Sequence, residues 1–284
     1  CPIFERINSS GTRLSTYDLM VAATWTQSFN LNNEVESIAD SLKPKNFEDI
    51  TGDTILKCLS AVKYQSIKRE HVLSLRTLKR HEMDDLVSGI KEALLKTVDL
   101  LTTEFKLYSW DFLPYEAIVI MMCYIYYNKK SLTPEDVARL RKWFWTSSFS
   151  SRYRGASDSF ISNDLKSIEA YILKETDVPG LFNNIPTVNE VKTMLFRSNN
   201  SRTRAYILLL ASLSPRNITN GIAIDIQNPL SIFNKKQYHH IYPQAFLKGL
   251  GVHQNKINSI GNLCILAASE NNYVSDKNPN IYIT

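Results

Sequence analysis

Tyr238-His239-His240-Ile241-Tyr242-Pro243, then Gly261-Asn262-Leu263-Cys264-Ile265-Leu266, and an Asn271 nine residues past Asn262 decide how the last third of this chain is read. Short β-prone pieces at 222–226, 237–242 and 261–267 are set among Asn-, Gly- and Pro-containing segments. The residue types suit phosphodiester hydrolysis. That reaction needs an activated water, a cation on the scissile phosphate and leaving oxygen, and a group that holds the base in its working tautomer. A neutral imidazole at His240 can take a proton from water near neutral pH. Asn271 offers a hard carbonyl oxygen to Mg²⁺ or Mn²⁺, while Asn262 either orients the imidazole or positions the hairpin.

Upstream the pattern is helical. Apolar spacing recurs at 34–43, 53–63, 82–106, 114–127, 134–146, 157–174, 188–197 and 202–213. Ser15 or Thr16 caps an earlier helix with Asp18 in its first turn and Leu19, Val21, Ala22 and Trp25 as apolar positions. Thr133-Pro134-Glu135-Asp136 is a second start signal: the hydroxyl can bond a free amide, and Pro134 sits where no amide is needed. Residues 1–14 predict a short strand and a turn at Asn8-Ser9-Ser10-Gly11. The periodicity stops near Pro215, which predicts a boundary there. The expected fold is mostly α, a helical domain followed by a small α+β module.

Composition narrows the setting. A 44% hydrophobic content over 284 residues supports a real core. The longest apolar run, Ala117 to Tyr127, is far short of the roughly 20 residues that cross a bilayer. Cysteines 1, 58, 123 and 264 are scattered, with no Cys-x-x-Cys pair, which argues against a zinc knuckle or a disulfide framework and for a reducing cytoplasm. The net charge of +5 is modest, but from Pro229 onward five lysines face only Glu270 and Asp276, a balance compatible with phosphate contact. The opening at Cys1, without a leader, reads as a fragment of something longer.

The runs HHIYPQAFLK and NLCILAASEN resemble the HNH, or ββα-metal, nuclease hairpin, including its His-Ile-x-Pro-Gln run and nine-residue step between asparagines. The resemblance implies that the first strand ends at the general base His240, the second carries Asn262 as the orienting residue, and a following helix carries Asn271 as a metal ligand. His239 stands where the family commonly has Asp or Glu as the other ligand. Imidazole is softer than carboxylate and favours Mn²⁺, Co²⁺ or Ni²⁺ relative to Mg²⁺.

FERINSSGTRLS at 4–15, SSRYRG at 150–155 and GNLCIL with a downstream SDK resemble the GmrSD-type, modification-dependent restriction enzymes and their phosphorothioate-sensing SspE-like relatives. This implies residues 1–95 as the tail of a ParB-like nucleotide-hydrolysing domain with connector helices, 96–215 as a helical domain and 216–284 as the HNH module. It also implies a double-stranded DNA partner, an NTPase domain in the full-length chain, and a role in anti-phage restriction. The family's Asp-Gly-Gln-Gln-Arg nucleotide signature is absent, so no NTP hydrolysis is expected from this stretch alone. Asn8, Gly11 and Arg13 become candidates for shaping that domain's pocket.

Plainer readings stand beside these. Phe4-Glu5-Arg6-Ile7-Asn8 also reads as an edge strand and turn. Trp143-Phe144-Trp145 reads as core rather than a base-stacking platform. Lys235, Lys236, Lys248, Arg152 and Arg154 are candidate phosphate contacts, the two arginines also reading as a solvated loop. Arg197, Arg202 and Arg204 fit a DNA channel or helix ends equally. The basic stretch from Lys63 to Arg80 reads as exposed surface or connector. The rival to an endonuclease is a catalytically weak DNA-binding or regulatory subunit, suggested by His239 in place of the acid.

Overall fold

The computed structural model describes residues 14–197, 200–227 and 238–283. The expected N-terminal strand with Asn8, Gly11 and Arg13 lies outside them, as do Lys235 and Lys236. Among the described residues ten α-helices come first: α1 (Thr16–Thr24), α2 (Leu31–Leu42), α3 (Gly52–Tyr64), α4 (Arg69–Ser74), α5 (Arg80–Phe105), α6 (Glu116–Asn128), α7 (Pro134–Phe149), α8 (Asp158–Ile172), α9 (Val188–Thr193) and α10 (Ser201–Ser212). An antiparallel pair follows, β1 (Tyr238–His240) and β2 (Leu263–Ile265). The short α11 (Gln244–Gly249) and α12 (Gln254–Ile257) lie in the connection between the strands, and α13 (Ala268–Val274) follows β2.

The mostly α architecture matches the periodicity, and the sheet uses the β-prone pieces at 237–242 and 261–267. The piece at 222–226 is not a strand. Ala223 makes only an isolated bridge to Arg216, because local turn bonds from Gly221 N–H to the Asn217 carbonyl and from Asn217 N–H to the Ile222 carbonyl absorb the backbone. Ile222 stays exposed, so no buried face is available to recruit a partner strand.

The chain divides into two units interleaved in sequence: 1–99, 115–143 and 153–181 form one, and 100–114, 144–152 and 182–284 the other. The first is organised by α6, where every residue from Ala117 to Ile125 is buried. A helix that is apolar all round must be surrounded, and α3 and α8 pack against it. Among the described residues no helix is long and apolar enough to cross a membrane. Helix starts follow side-chain capping. Ser15 accepts from the Asp18 N–H at 3.1 Å while Asp18 accepts from the Ser15 N–H at 2.9 Å. Thr133 and Asp136 exchange the same pair of bonds at the start of α7. In the stretch 63–80 the basic residues Lys63, Arg69, Arg76, Lys79 and Arg80 are exposed surface, as expected, while Ser66, Ile67, Val72 and Leu75 between them are buried.

The second unit holds the C-terminal module. Phe105 stacks on Phe144 at 4.0 Å, and Trp145 meets Phe144 edge-on at 5.0 Å. Trp143 and Phe144 are fully buried, whereas Trp145 is half-buried and lines an apolar groove of about 300 Å³ with Phe149, Ile185, Val188 and Leu209. Arg204 is used structurally. Its Nη1 donates to the Leu113 carbonyl at 2.8 Å, and burial lowers its pKa against the pull of Asp111. The sheet is seated by α10, which packs on β2. The turn before β2 is seated by the chain after α9, where Ile260 N–H donates to the Met194 carbonyl at 2.7 Å and Phe196 N–H to the Asn258 carbonyl at 3.0 Å.

Candidate active site

In the hairpin Tyr238 stands opposite Ile265, His239 opposite Cys264, and His240 opposite Leu263. Strand alternation therefore gives the two histidines opposite faces. Tyr238, Leu263 and Ile265, which share the face of His240, are buried. On the other face Cys264 packs against a cluster of Leu266, Val274 and Tyr282. Asn271 lies one helical turn before Val274 on α13 and so belongs to the same flank of that helix. His239 thus faces the side of the sheet on which Val274 of α13 packs, and His240 faces the other. Cys264 also faces that side, but burial pushes its thiol up to about 11, so it remains protonated near neutral pH.

His240 is half-buried at the end of β1. Its Nε2 lies 3.2 Å from Asn258 Oδ1 and 3.2 Å from Gln244 Nε2, and Gln244 Nε2 donates to Asn258 Oδ1 at 3.1 Å. Burial holds the imidazole below its ordinary pKa, with the Asn258 contact working in the opposite direction. The shift favours the neutral ring, the state a general base requires.

Asn262 is buried and its partners are all backbone groups. Oδ1 accepts from the Tyr242 N–H at 2.9 Å, and Nδ2 donates to the carbonyls of Tyr242 at 3.1 Å and Ile257 at 3.0 Å. Its own carbonyl accepts from the Ile241 N–H at 2.8 Å. Of the two roles open to it from sequence, Asn262 positions the hairpin; the ring of His240 takes its partners elsewhere. The Ile241 carbonyl is in turn held by the Tyr282 hydroxyl at 2.7 Å.

The remaining candidates are dispersed. Lys248 is exposed in the last turn of α11. Arg152 is half-buried and Arg154 exposed in the turn after α7, and the two fall in different units. Glu270, the acid beside Asn271, is buried and committed to Thr219, whose hydroxyl and N–H it accepts from. These bonds hold its carboxyl below the usual range despite the opposing effect of burial.

Among the described residues no three His, Cys, Asp or Glu side chains are grouped to hold a metal ion. The two proposed ligands, His239 and Asn271, supply one imidazole and one amide oxygen. Hydrated Mg²⁺ keeps several waters and takes few protein ligands plus phosphate oxygens, so this sparse set fits such an ion only with substrate completing the shell. Sequence reading missed Gln244 and Asn258 as partners of His240. Gln244 was visible within the His-Ile-x-Pro-Gln run, whereas nothing in the spacing marks Asn258.

No protein-family model matches the chain. It is similar to an uncharacterized protein of Methanocaldococcus jannaschii, at 25% identity over 99% of this chain and 49% of that protein. The chain thus spans about half the length of this relative.

Proposed function

We propose that this chain is a metal-dependent DNA endonuclease of the HNH type, with His240 as its general base. One observation carries the reading. A half-buried imidazole ends the first strand of a hairpin whose connection is pinned by Asn262, and a helix bearing Asn271 follows the second strand. That is the strand, strand and helix order of the motif the sequence resembles.

In this mechanism His240 takes a proton from water, and the resulting hydroxide attacks phosphorus. His239 and Asn271 would hold Mg²⁺ or Mn²⁺, which when bound supplies positive charge to the phosphate and the departing oxygen. Asn262 keeps the loop that follows the base in place. Lys235, Lys236, Lys248, Arg152 and Arg154 contact the phosphate backbone of double-stranded DNA. None of these residues reads bases, so the choice of modified or foreign DNA belongs to other parts of a longer protein, including an NTPase domain. The setting in this reading is cytoplasmic anti-phage restriction of the GmrSD type.

Relaxed plasmid accumulating with Mg²⁺ or Mn²⁺ is the direct test, and His240→Ala should slow it by about 100-fold or more. Equal nicking by both proteins, or none by the wild type at any metal concentration, defeats the proposal. The second reading, a catalytically weak DNA-binding or regulatory subunit, is favoured by His239 in place of an acid and by the engagement of Glu270 with Thr219. It expects DNA binding without metal-dependent nicking.

A further inference from the structure

We propose that the apolar groove between the C-terminal end of α7, α9 and α10 binds an amphiphilic carboxylate, an alkyl chain or apolar ring that ends in one anionic group. The groove lies wholly within the second unit and encloses about 300 Å³, the lower end of the range that holds small molecules. Helical spacing supplies its walls. Trp145 and Phe149 stand one turn apart on α7, Val188, Val191 and Lys192 share a face of α9, and Leu209 comes from α10. Val188 is 68% exposed and Ile185, on the chain before α9, 58% exposed, so the rim presents large apolar side chains to water. Scattered exposed hydrophobic residues need no explanation, but a contiguous set around one hollow marks a place where something apolar is received.

Charge selects the occupant. Among the described residues that line the groove Lys192 is the only charged one, and it makes no ion pair among the described residues. Glu190, the acid nearest to it in sequence, is turned to the start of α9, where it accepts from the Thr187 N–H at 2.6 Å and from the Thr187 hydroxyl at 2.9 Å. An occupant with an apolar body and a negative end therefore matches both the walls and the one cation. The walls are also set before any ligand arrives. Trp145 meets Phe144 edge-on and lies 6.3 Å from Phe149, and the chain leaving α9 is tied to the turn before β2 through the Phe196 and Ile260 N–H groups. A preformed hollow spares a ligand the cost of ordering its site. The inference goes beyond the nuclease reading and does not rest on it, since no lining residue belongs to the candidate active site.

The test is calorimetric titration of the full chain with n-alkanoates from hexanoate to decanoate, kept below their micelle thresholds, with decanol as the neutral control. Decanoate should bind at a single site per chain, and affinity should rise about 4-fold for each methylene added, the increment expected for an alkyl chain leaving water. At low ionic strength decanoate should outbind decanol by about 2- to 5-fold, an advantage that Lys192→Gln removes. Val188→Asp puts an acid on the rim at the first position of α9, where helix starts favour one, and should weaken decanoate by about 10-fold or more. The shift in tryptophan emission on binding should vanish in Trp145→Phe. No saturable binding of decanoate, affinity independent of chain length, or binding unaffected by Val188→Asp overturns the proposal. So does equal affinity for decanoate and decanol, which would remove the anionic end. Should Val188→Asp fail to fold, the chain-length series and Lys192→Gln still decide. A chain that ignores decanoate but elutes as a dimer broken by Val188→Asp would make this face a contact between copies and defeat the ligand site.

Discussion

Asn262 spends its side-chain amide on three backbone groups of the connection between the strands, two of them on Tyr242. Truncation to alanine strands those groups in a buried place, and each net hydrogen bond is worth about 1 kcal/mol. Asn262→Ala should therefore lower unfolding stability by about 2–3 kcal/mol in urea titrations. Under the proposed nuclease mechanism it should also reduce nicking, by loosening the connection that follows His240. A second residue-scale test concerns Asp136, which is buried, pairs with Lys129 at 2.6 Å and accepts from the Thr133 N–H at 2.7 Å. Burial alone would raise its pKa, but the Lys129 and Thr133 bonds outweigh it and the carboxyl titrates below its ordinary range. A folded-state pKa below the unfolded one gives stability that is present above the unfolded value and lost as pH falls through the folded value. Asp136→Asn should thus be less stable than wild type by about 1–3 kcal/mol near neutral pH, with the gap closing in acid. A gap that persists in acid would show that the charge of Asp136 is irrelevant.

At the scale of elements, the turn before β2 is joined to α9 by close backbone approach. A β-carbon on Gly261 would lie 2.8 Å from the Lys192 carbonyl oxygen, too near for any side chain unless one backbone yields. Gly261→Ala should cost about 1–3 kcal/mol in thermal or urea unfolding, and Gly251→Ala, with no neighbour near its β-carbon but a positive φ of 73°, tests backbone strain instead of crowding. Helix starts were legible in the sequence because their signals are local: Ser15 with Asp18, and Thr133 with Asp136, need only neighbours three residues away. α4 was not legible, because its six residues hide one buried apolar position, Val72, in a basic stretch without a capping side chain. The segment 222–226 misled for the opposite reason, its β-prone composition being overridden by turn bonds around Asn217 and Gly221. Within the candidate site, His240, Asn262 and Asn271 could be picked out as candidates from their types and spacing. Asn258 could not, because it reaches the ring from the end of a separate short helix.

For the molecule as a whole, the modest charge of +5 makes salt a sensitive probe of the proposed DNA contacts. Binding to duplex DNA should weaken with a slope of about −0.9 in log affinity against log salt for each phosphate neutralised. Lys248→Ala should reduce that slope by about 1, since Lys248 is exposed on α11 and makes no ion pair among the described residues. An unchanged slope would remove Lys248 from the interface. The hydroxyl of Tyr282 also has a consequence in time. Because it closes over the Ile241 carbonyl from 41 residues downstream, a nascent chain that has released His240 from the ribosome still lacks that clasp. The clasp therefore forms only once the segment carrying Tyr282 has been made, and until then the Ile241 carbonyl is without that partner.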